Sequence, residues 1–426
     1  MGRKQLFQRN ALSIYISGIV AYYLATGLMN DHVNILQPYY AQTYGWSATL
    51  ITMPVTVAGY VAIVMAAVFG VLYHKFSISR ILGVSTLILG LSAIGLSAAG
   101  DHLALYSISL FLLRLMVLPL SLGIQYLCTN WFVESRGRAL GIVTMGGPLC
   151  SATLVAILTA ATGAFGFTLT YRVMGILVLV IGLLFLLLVK DRPEQLGLYP
   201  DGADHPPAEY RQDAGTMGLK ELVHSADTYL IVLPLGLLWL CLVGIMAFFV
   251  PQMASTGTDA AIYLPTLTIS AVLGMVLSYL VGVVDDKWGT PSAFLLLCAF
   301  NLMAIFGLLF MTRNNIPLLA VVAVGIAGMT GGLQNIQPSI VSYIYGRRNF
   351  SALNGWLYAF ESIFSSFGLS YMSIIMDTTG SLNAAYWGMA IMTALSAVFI
   401  VFLWKRNPQA RDTLAAPQEG QTEVAI

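Results

Sequence analysis

The stretch KDRPEQLGLYPDGADHPPAEYRQDAGTMGLKELVHSAD, residues 190–227, interrupts an otherwise apolar sequence near its middle. It is rich in Pro, Gly and charged residues, a composition typical of a linker between domains. The sequence on both sides of it consists largely of long apolar segments with few charges. We therefore predict two domains joined by this linker.

The composition of the whole chain is that of a membrane protein. Of its 426 residues, 58% are hydrophobic and 9% are charged, and the mean hydropathy is +0.80. A helix needs roughly 20 mostly apolar residues to cross a hydrocarbon core of about 30 Å. The predicted spans are 11–37, 47–73, 81–99, 103–127, 139–161, 171–189, 228–250, 262–284, 291–312, 316–339, 351–376 and 382–404. This composition excludes a soluble globular enzyme.

Six predicted spans precede the linker and six follow it. The domains are an N-terminal six-helix bundle (1–189), the cytoplasmic linker (190–227), a C-terminal six-helix bundle (228–404) and a polar cytoplasmic tail (405–426). Cytoplasmic loops carry an excess of Lys and Arg, and placing both termini inside puts seventeen of the twenty basic residues there. We predict an all-α, multi-pass protein of the cell membrane, with a bacterial inner membrane favoured over a eukaryotic one.

The sequence offers no motif for catalysis or metal binding. It has no GxxxxGK[ST] loop, no HExxH zinc motif and no GxSxG nucleophile motif. The four cysteines lie in apolar spans without CxxC spacing, so packing explains them. We predict that the protein is not an enzyme and has no cofactor, metal or nucleic-acid partner.

Two short cytoplasmic turns relate the halves to each other. GVLYHKFSISR (Gly70–Arg80) follows the second span, and GVVDDKWG (Gly282–Gly289) follows the eighth. Pro54 precedes the first turn by 16 residues and Pro265 precedes the second by 17. Such equal spacing is expected of a duplicated bundle.

The second turn resembles the Gly-x-x-x-Asp-(Arg/Lys)-x-Gly loop of the major facilitator superfamily. The residues that fit are Gly282, Asp286, Lys287 and Gly289. The first turn departs from the pattern, because His74 stands in the place of Asp and Ser77 in the place of the last Gly. The resemblance implies that the second turn, together with Arg136, forms a conformational latch.

A further stretch, NWFVESRGRALG (Asn130–Gly141), resembles the signature after helix 4 in the oxalate:formate antiporter and monocarboxylate transporter group. The segments YGWS, DRPEQLGLYPDG and YGRRNFSALNG also fit that group. The resemblance implies a secondary transporter with two pseudo-symmetric six-helix bundles around a central cavity, working by symport or antiport. No oligomer is implied, and we predict a monomer. Its partners would be a small-molecule substrate, protons or a counter-substrate, and the lipid bilayer.

Three charged residues, Asp31, Arg114 and Glu361, lie within the predicted spans and away from their ends. A central Arg or Asp costs roughly 2.5–3.5 kcal/mol on insertion scales, so such residues usually face water or a partner. In the resembled fold, helices 1, 4, 7 and 10 line the cavity and helices 2, 5, 8 and 11 flank it. The three charges fall on helices 1, 4 and 11, and we predict that they face the cavity.

Glu361 lies in NGWLYAFESIFSSFGLS (Asn354–Ser370), within a stretch that has no other charge between Arg348 and Asp377. It is about 15 Å along its span, near the middle of the membrane. One interpretation is a proton site or substrate contact. The other is a structural carboxylate that pairs with Arg114 or with a helix N-terminus.

The charge pattern bears on the substrate. Anion carriers of the resembled group tend to have Lys in helix 11 and Arg in helix 8, where this sequence has Glu361 and Ser278. The dicarboxylate transport of that group is therefore not predicted for this protein. A buried Glu that holds a proton can serve a symporter, and Arg114 can either hold a carboxylate through two hydrogen bonds or be a structural arginine.

Other polar residues are candidates for the cavity wall. Asp31 and Asn34 share a helix face in NDHVN, and they either open to the cavity or form a solvated helix end. Gln334 and Asn335 in GGLQNIQPS of helix 10, and Tyr126 of helix 4, are predicted to contact substrate.

We predict a proton-linked carrier of a small monocarboxylate-type metabolite. Arg114 would contact the anion, and Glu361 and Asp31 are the candidates for proton coupling. A cationic or zwitterionic substrate bound by Glu361 and Asp31 is the main alternative. A sensor that keeps the transporter fold without transporting is an alternative from another class.

Overall fold

The structure, a computed structural model, describes residues 3–205 and 219–406. Within these ranges, twelve helices are long and apolar enough to cross a membrane. We number them 1 to 12: Arg3–Met29, Leu50–Lys75, Ile78–Ala99, Leu103–Trp131, Arg136–Phe165, Phe167–Leu188, Ala226–Ser255, Ala260–Trp288, Thr290–Leu309, Ile316–Tyr345, Leu353–Thr379 and Leu382–Arg406. The predicted all-α fold with twelve spans is confirmed.

The first span differs from its predicted bounds of 11–37. The α-helix Arg3–Thr26 passes into a π-helical turn at Gly27–Asp31, and a further helix follows at Val33–Tyr44. A π turn is a local widening of a helix that often marks a functional position. Hydropathy does not register it, because a windowed mean of hydropathy carries no information on local helix geometry.

One connection between helices also differs from expectation, and the two related turns differ from each other. Helices 10 and 11 belong to one run of helical backbone, Ile316–Thr379, where two separate spans were predicted. The turn after helix 8 contains Gly289 at φ +84°, a conformation that favours glycine. The related turn after helix 2 contains Ser77 at φ −61°, so it does not require a glycine.

The first part of the predicted linker packs against the N-terminal half. Asp191 accepts hydrogen bonds from the N–H groups of Ile78 (3.0 Å) and Ser79 (2.8 Å) at the start of helix 3. The indole of Trp131 donates to the carbonyl of Lys190 at 2.8 Å. Two 3-10 turns follow, Pro193–Leu196 and Pro200–Gly202. The predicted linker residues 206–218 and tail residues 407–426 lie outside the described ranges.

Candidate transport site

The two halves meet at the ends of helices 5 and 8 that are predicted to be cytoplasmic. Asp286 accepts hydrogen bonds from the N–H groups of Gly137 (2.6 Å) and Arg138 (3.0 Å), and from Nε of Arg138 (2.8 Å). Gly137 also lies directly against Gly282, where a Cβ atom on Gly137 would be 2.6 Å from the Gly282 carbonyl oxygen. Only glycine permits the two backbones to approach so closely.

The neighbouring residues of the same turn have different contacts. Asp285 is buried, accepts a hydrogen bond from the Ser339 hydroxyl at 2.6 Å and interacts electrostatically with Arg136. The Lys287 ammonium lies 4.7 Å from the centre of the Trp288 ring. The adjacent carboxylates of Asp285 and Asp286 therefore have separate basic partners, Arg136 and Arg138.

Helices 2 and 11 make a related contact between the halves. A Cβ atom on Gly355 would be 2.6 Å from the Ala66 carbonyl oxygen and 2.8 Å from the Gly70 Cα. Beside this contact, Asn354 Nδ2 donates to Gln125 Oε1 at 2.8 Å, which ties helix 11 to helix 4. Both contacts lie toward the predicted cytoplasmic ends of their helices.

An aromatic layer extends from this contact into the N-terminal half. Gln125 Nε2 donates to the Tyr22 hydroxyl at 3.2 Å. Tyr126 is fully buried, with its ring edge-on to Tyr73 (4.8 Å between ring centres) and to Phe350 (5.4 Å). Tyr126, a predicted substrate contact, thus lies in the layer that joins the halves on the predicted cytoplasmic side.

A buried polar cluster joins helices 5, 8 and 10. The Thr144 hydroxyl lies 2.7 Å from the Ser278 hydroxyl and also donates to Asn335 Oδ1. Asn335 Nδ2 donates to the Ser278 carbonyl oxygen at 3.0 Å. Asn335 is 1% exposed, whereas the neighbouring predicted residue Gln334 is half-buried. Asn335 therefore has its hydrogen bonds within the contact between the halves.

Glu361 and Arg114 lie on opposite halves near the middle of helices 11 and 4. Glu361 is 2% exposed, and neither carboxylate oxygen has a hydrogen-bond partner within the described residues. Tyr358, one turn earlier on helix 11, interacts electrostatically with both Glu361 and Arg114. Arg114 is half-buried, and its Nε also has no hydrogen-bond partner in the described structure. The structure thus brings the two charges to the same tyrosine without an ion pair between them.

The sequence matches the family model of the Major Facilitator Superfamily over residues 16–343. The chain belongs to the major facilitator superfamily. Solved structures of members share its fold: FucP in the outward conformation has a TM-score of 0.67 at 14% identity, covering 91% of this chain and 98% of that one. The proton:xylose symporter XylE has a TM-score of 0.70 at 14% identity, covering 93% and 96%. The E. coli fucose:proton symporter FucP gives 0.70 at 14% identity, covering 92% and 99%. No curated protein sequence matches the chain.

As a superfamily member, the protein transports a small molecule across a membrane, and this agrees with the predicted class. His32, which belongs to the NDHVN stretch but was not among the predicted site residues, lies near Arg114. Its Nδ1 is 3.1 Å from the Gly27 carbonyl oxygen in the π turn, and it interacts electrostatically with Arg114. A carbonyl only accepts hydrogen bonds, so Nδ1 carries the proton in this contact. The side chains of the predicted residues Asp31 and Asn34 lie outside the described part of the structure.

The superfamily turn contains more than the predicted latch residues. Asp286 and Gly282 lie at the contact between the halves, but the hydrogen-bonding partner of Asp286 is Arg138, and the predicted Arg136 lies near Asp285. Arg138 and Asp285 were not predicted to belong to the latch, although both stand in the quoted motifs, as a second Arg and a second Asp. In the part of the chain that is described, no group of three or more His, Cys, Asp or Glu side chains is placed to hold a metal ion.

Proposed function

We propose that the protein is a proton-linked carrier of a small monocarboxylate-type solute, in which Glu361 carries the proton. The observation that carries the proposal is the burial of Glu361 without a hydrogen-bond partner among the described residues. An ionised carboxylate in such a place is costly, whereas a protonated carboxyl group is neutral. Glu361 is therefore suited to bind a proton when the site is closed and to release it when water enters.

Arg114 supports an anionic substrate. Its electrostatic partner in the described structure is a tyrosine, Tyr358, and not a carboxylate. An Arg with no carboxylate partner in the described structure can hold the carboxylate of a ligand through two parallel hydrogen bonds. Because Tyr358 interacts electrostatically with both Arg114 and Glu361, it would provide a physical link between a substrate on Arg114 and a proton on Glu361.

The contacts between the halves support a site that is closed on the predicted cytoplasmic side in this conformation. Glycine contacts join helix 5 to helix 8 and helix 2 to helix 11 at their cytoplasmic ends. In a carrier built from two rocking bundles, closure on one side accompanies opening on the other. Substrate and protons would then reach Glu361 from outside the cell and leave after the cytoplasmic contacts separate.

A cationic or zwitterionic solute is the second candidate. The same unpaired carboxylate of Glu361 favours it, because a carboxylate attracts a positive charge directly. Asp31 would be the second acidic contact. The solved structures with the same fold include a fucose:proton symporter and a proton:xylose symporter, so the test also includes sugars.

The experiment is uptake by the purified full-length protein in proteoliposomes, using labelled monocarboxylates, amines, amino acids and sugars, with and without a pH gradient. The proposal expects saturable uptake of a monocarboxylate that is accelerated when the outside is acidic. Glu361→Gln should retain exchange of labelled for unlabelled substrate and lose accumulation driven by the pH gradient. Asp377→Asn is the matched control, because Asp377 is an exposed carboxylate near the outer end of the same helix.

Two results would decide against this assignment. If Glu361→Gln abolishes substrate binding and the transported solute is a cation or zwitterion, the second candidate is correct. If Glu361→Gln accumulates solute under a pH gradient as well as the Asp377→Asn control does, Glu361 is not the proton site.

A further inference from the structure

One short backbone stretch, residues 133–138, is held by two carboxylates from distant parts of the chain. Asp201 accepts hydrogen bonds from the N–H groups of Val133 (2.7 Å), Glu134 (2.9 Å) and Ser135 (3.2 Å), and from the Ser135 hydroxyl. Asp286 of the C-terminal half accepts from the N–H groups that come next along this stretch, at residues 137 and 138. The turn that leads into helix 5 is thus fixed on one side by Asp201 and on the other by the latch.

The backbone of Asp201 is itself in an unusual conformation. Its φ is +56°, in the left-handed region that non-glycine residues rarely adopt. Such a conformation costs free energy and persists where the surrounding contacts enforce it. Here the conformation directs the carboxylate at consecutive N–H groups, and hydrogen bonds to an ionised acceptor are among the stronger ones in proteins.

We propose that Asp201 is a positioning residue of the cytoplasmic latch. By holding the turn Val133–Ser135, it orients the start of helix 5 so that the N–H groups of Gly137 and Arg138 point at Asp286. The segment that leaves helix 6 toward the C-terminal half therefore sets how firmly the halves close on the cytoplasmic side. This inference requires alternating access but does not depend on the substrate or on the proton assignment.

The chain contains a matched control for this role. Asp191 lies in the same segment and caps the start of helix 3 with the same chemistry, through the N–H groups of Ile78 and Ser79. In the described structure, none of the hydrogen bonds of that cap reaches the C-terminal half. Asp191→Asn should therefore weaken the N-terminal half without acting on the latch.

The test measures the distance between the halves on the cytoplasmic side by pulsed electron paramagnetic resonance. Spin labels at Arg80→Cys and Lys405→Cys would report it, because both positions are exposed, cytoplasmic and on opposite halves. The four native cysteines are buried, which favours labelling at the two introduced sites. We expect Asp201→Asn to raise the ratio of separated to closed forms about fivefold, the lower end of typical coupling between sites.

A double-mutant comparison separates positioning from general destabilisation. Asp286→Asn should raise the separated form as well, and Asp201→Asn should add little in that background. Asp191→Asn should lower the melting temperature and leave the distance distribution unchanged. Asp201→Gly serves as a second variant, since glycine adopts φ +56° without strain, and it should give the same shift as Asp201→Asn.

Two outcomes overturn the inference. In the first, Asp201→Asn and Asp201→Gly leave the distance distribution as Asp191→Asn does. In the second, they raise the separated form by the same factor whether or not Asp286 is present, so that they act outside the latch. Neither outcome bears on Glu361 or Arg114, so the proposed function is tested separately.

Discussion

Asp201 and Asp286 accept hydrogen bonds from adjacent parts of the same backbone stretch, residues 133–138, although they are 85 positions apart in sequence. Most of the bonds in this arrangement are donated by backbone N–H groups. The contact therefore depends on how closely the backbones approach. The contact between helices 2 and 11 also depends on close backbone approach, because Gly355 lies directly against the backbone of helix 2.

Side chains added at the glycine contacts should hold the cytoplasmic side open. Gly282→Ala would place a Cβ atom in overlap with the Gly137 backbone, and Gly355→Ala would place one 2.6 Å from the Ala66 carbonyl oxygen. Backbone atoms cannot move aside as a flexible side chain can. We expect each variant to slow transport at least about tenfold, since a loss of about 1.4 kcal/mol in closure corresponds to that factor, and to raise the separated form in distance measurements.

The control for this prediction is a glycine with free space around it. A Cβ atom on Gly59 or on Gly163 would meet nothing within 4 Å. Gly59→Ala and Gly163→Ala should transport at the wild-type rate. Equal rates for Gly282→Ala and Gly163→Ala would show that close backbone approach is not needed for transport.

The cluster of Thr144, Ser278 and Asn335 should affect both stability and conformation. Thr144→Val keeps the shape of the side chain but leaves buried partners unsatisfied, which costs about 1–3 kcal/mol. Because the cluster joins the two halves, the loss should favour the separated form as well as lower the melting temperature.

A second buried threonine provides the comparison for Thr144. The Thr393 hydroxyl accepts a hydrogen bond from Asn301 at 2.7 Å, entirely within the C-terminal half. Thr393→Val should lower the melting temperature to a similar extent and leave the distance between the halves unchanged. If both valine variants shift that distance equally, the Thr144 cluster has no special part in closure.

The fold could be predicted from sequence because hydropathy and charge bias act locally along each segment. The role of Asp286 at the contact could also be predicted from sequence, because Asp286 stands in a short motif. Its partner Arg138 and the cap from Asp201 could not, because these contacts join residues separated by at least 66 positions, and sequence spacing does not tell which of two neighbouring arginines points at a carboxylate. The absence of an ion pair between Arg114 and Glu361 in the described structure likewise depends on how the halves are placed.

Removing the charge of Arg114 should weaken substrate binding if the substrate is an anion. We expect Arg114→Gln to raise the KM of the transported monocarboxylate by about tenfold or more, because hydrogen bonds to charged groups contribute about 1.5–3 kcal/mol. Arg114→Lys should recover part of the loss, since Lys keeps the charge but not the two parallel hydrogen bonds.

The control is Arg172→Gln, since Arg172 is exposed near the outer end of helix 6. The KM values would be measured from initial uptake rates in proteoliposomes. An unchanged KM in Arg114→Gln would assign Arg114 a structural role.

Tyr358 should couple proton binding to substrate binding, because its side chain interacts electrostatically with both Arg114 and Glu361. In the wild type, the KM of an anionic substrate should fall as the external pH falls, since protonating Glu361 removes a negative charge near Arg114. Tyr358→Phe removes only the hydroxyl group and should make KM less dependent on pH. The matched control is Tyr371→Phe on the same helix, whose hydroxyl donates to the Ala385 carbonyl at 3.0 Å. If KM keeps its full pH dependence in Tyr358→Phe, the link between the two sites does not pass through this hydroxyl, and the electrostatic field of Glu361 acts on the substrate directly.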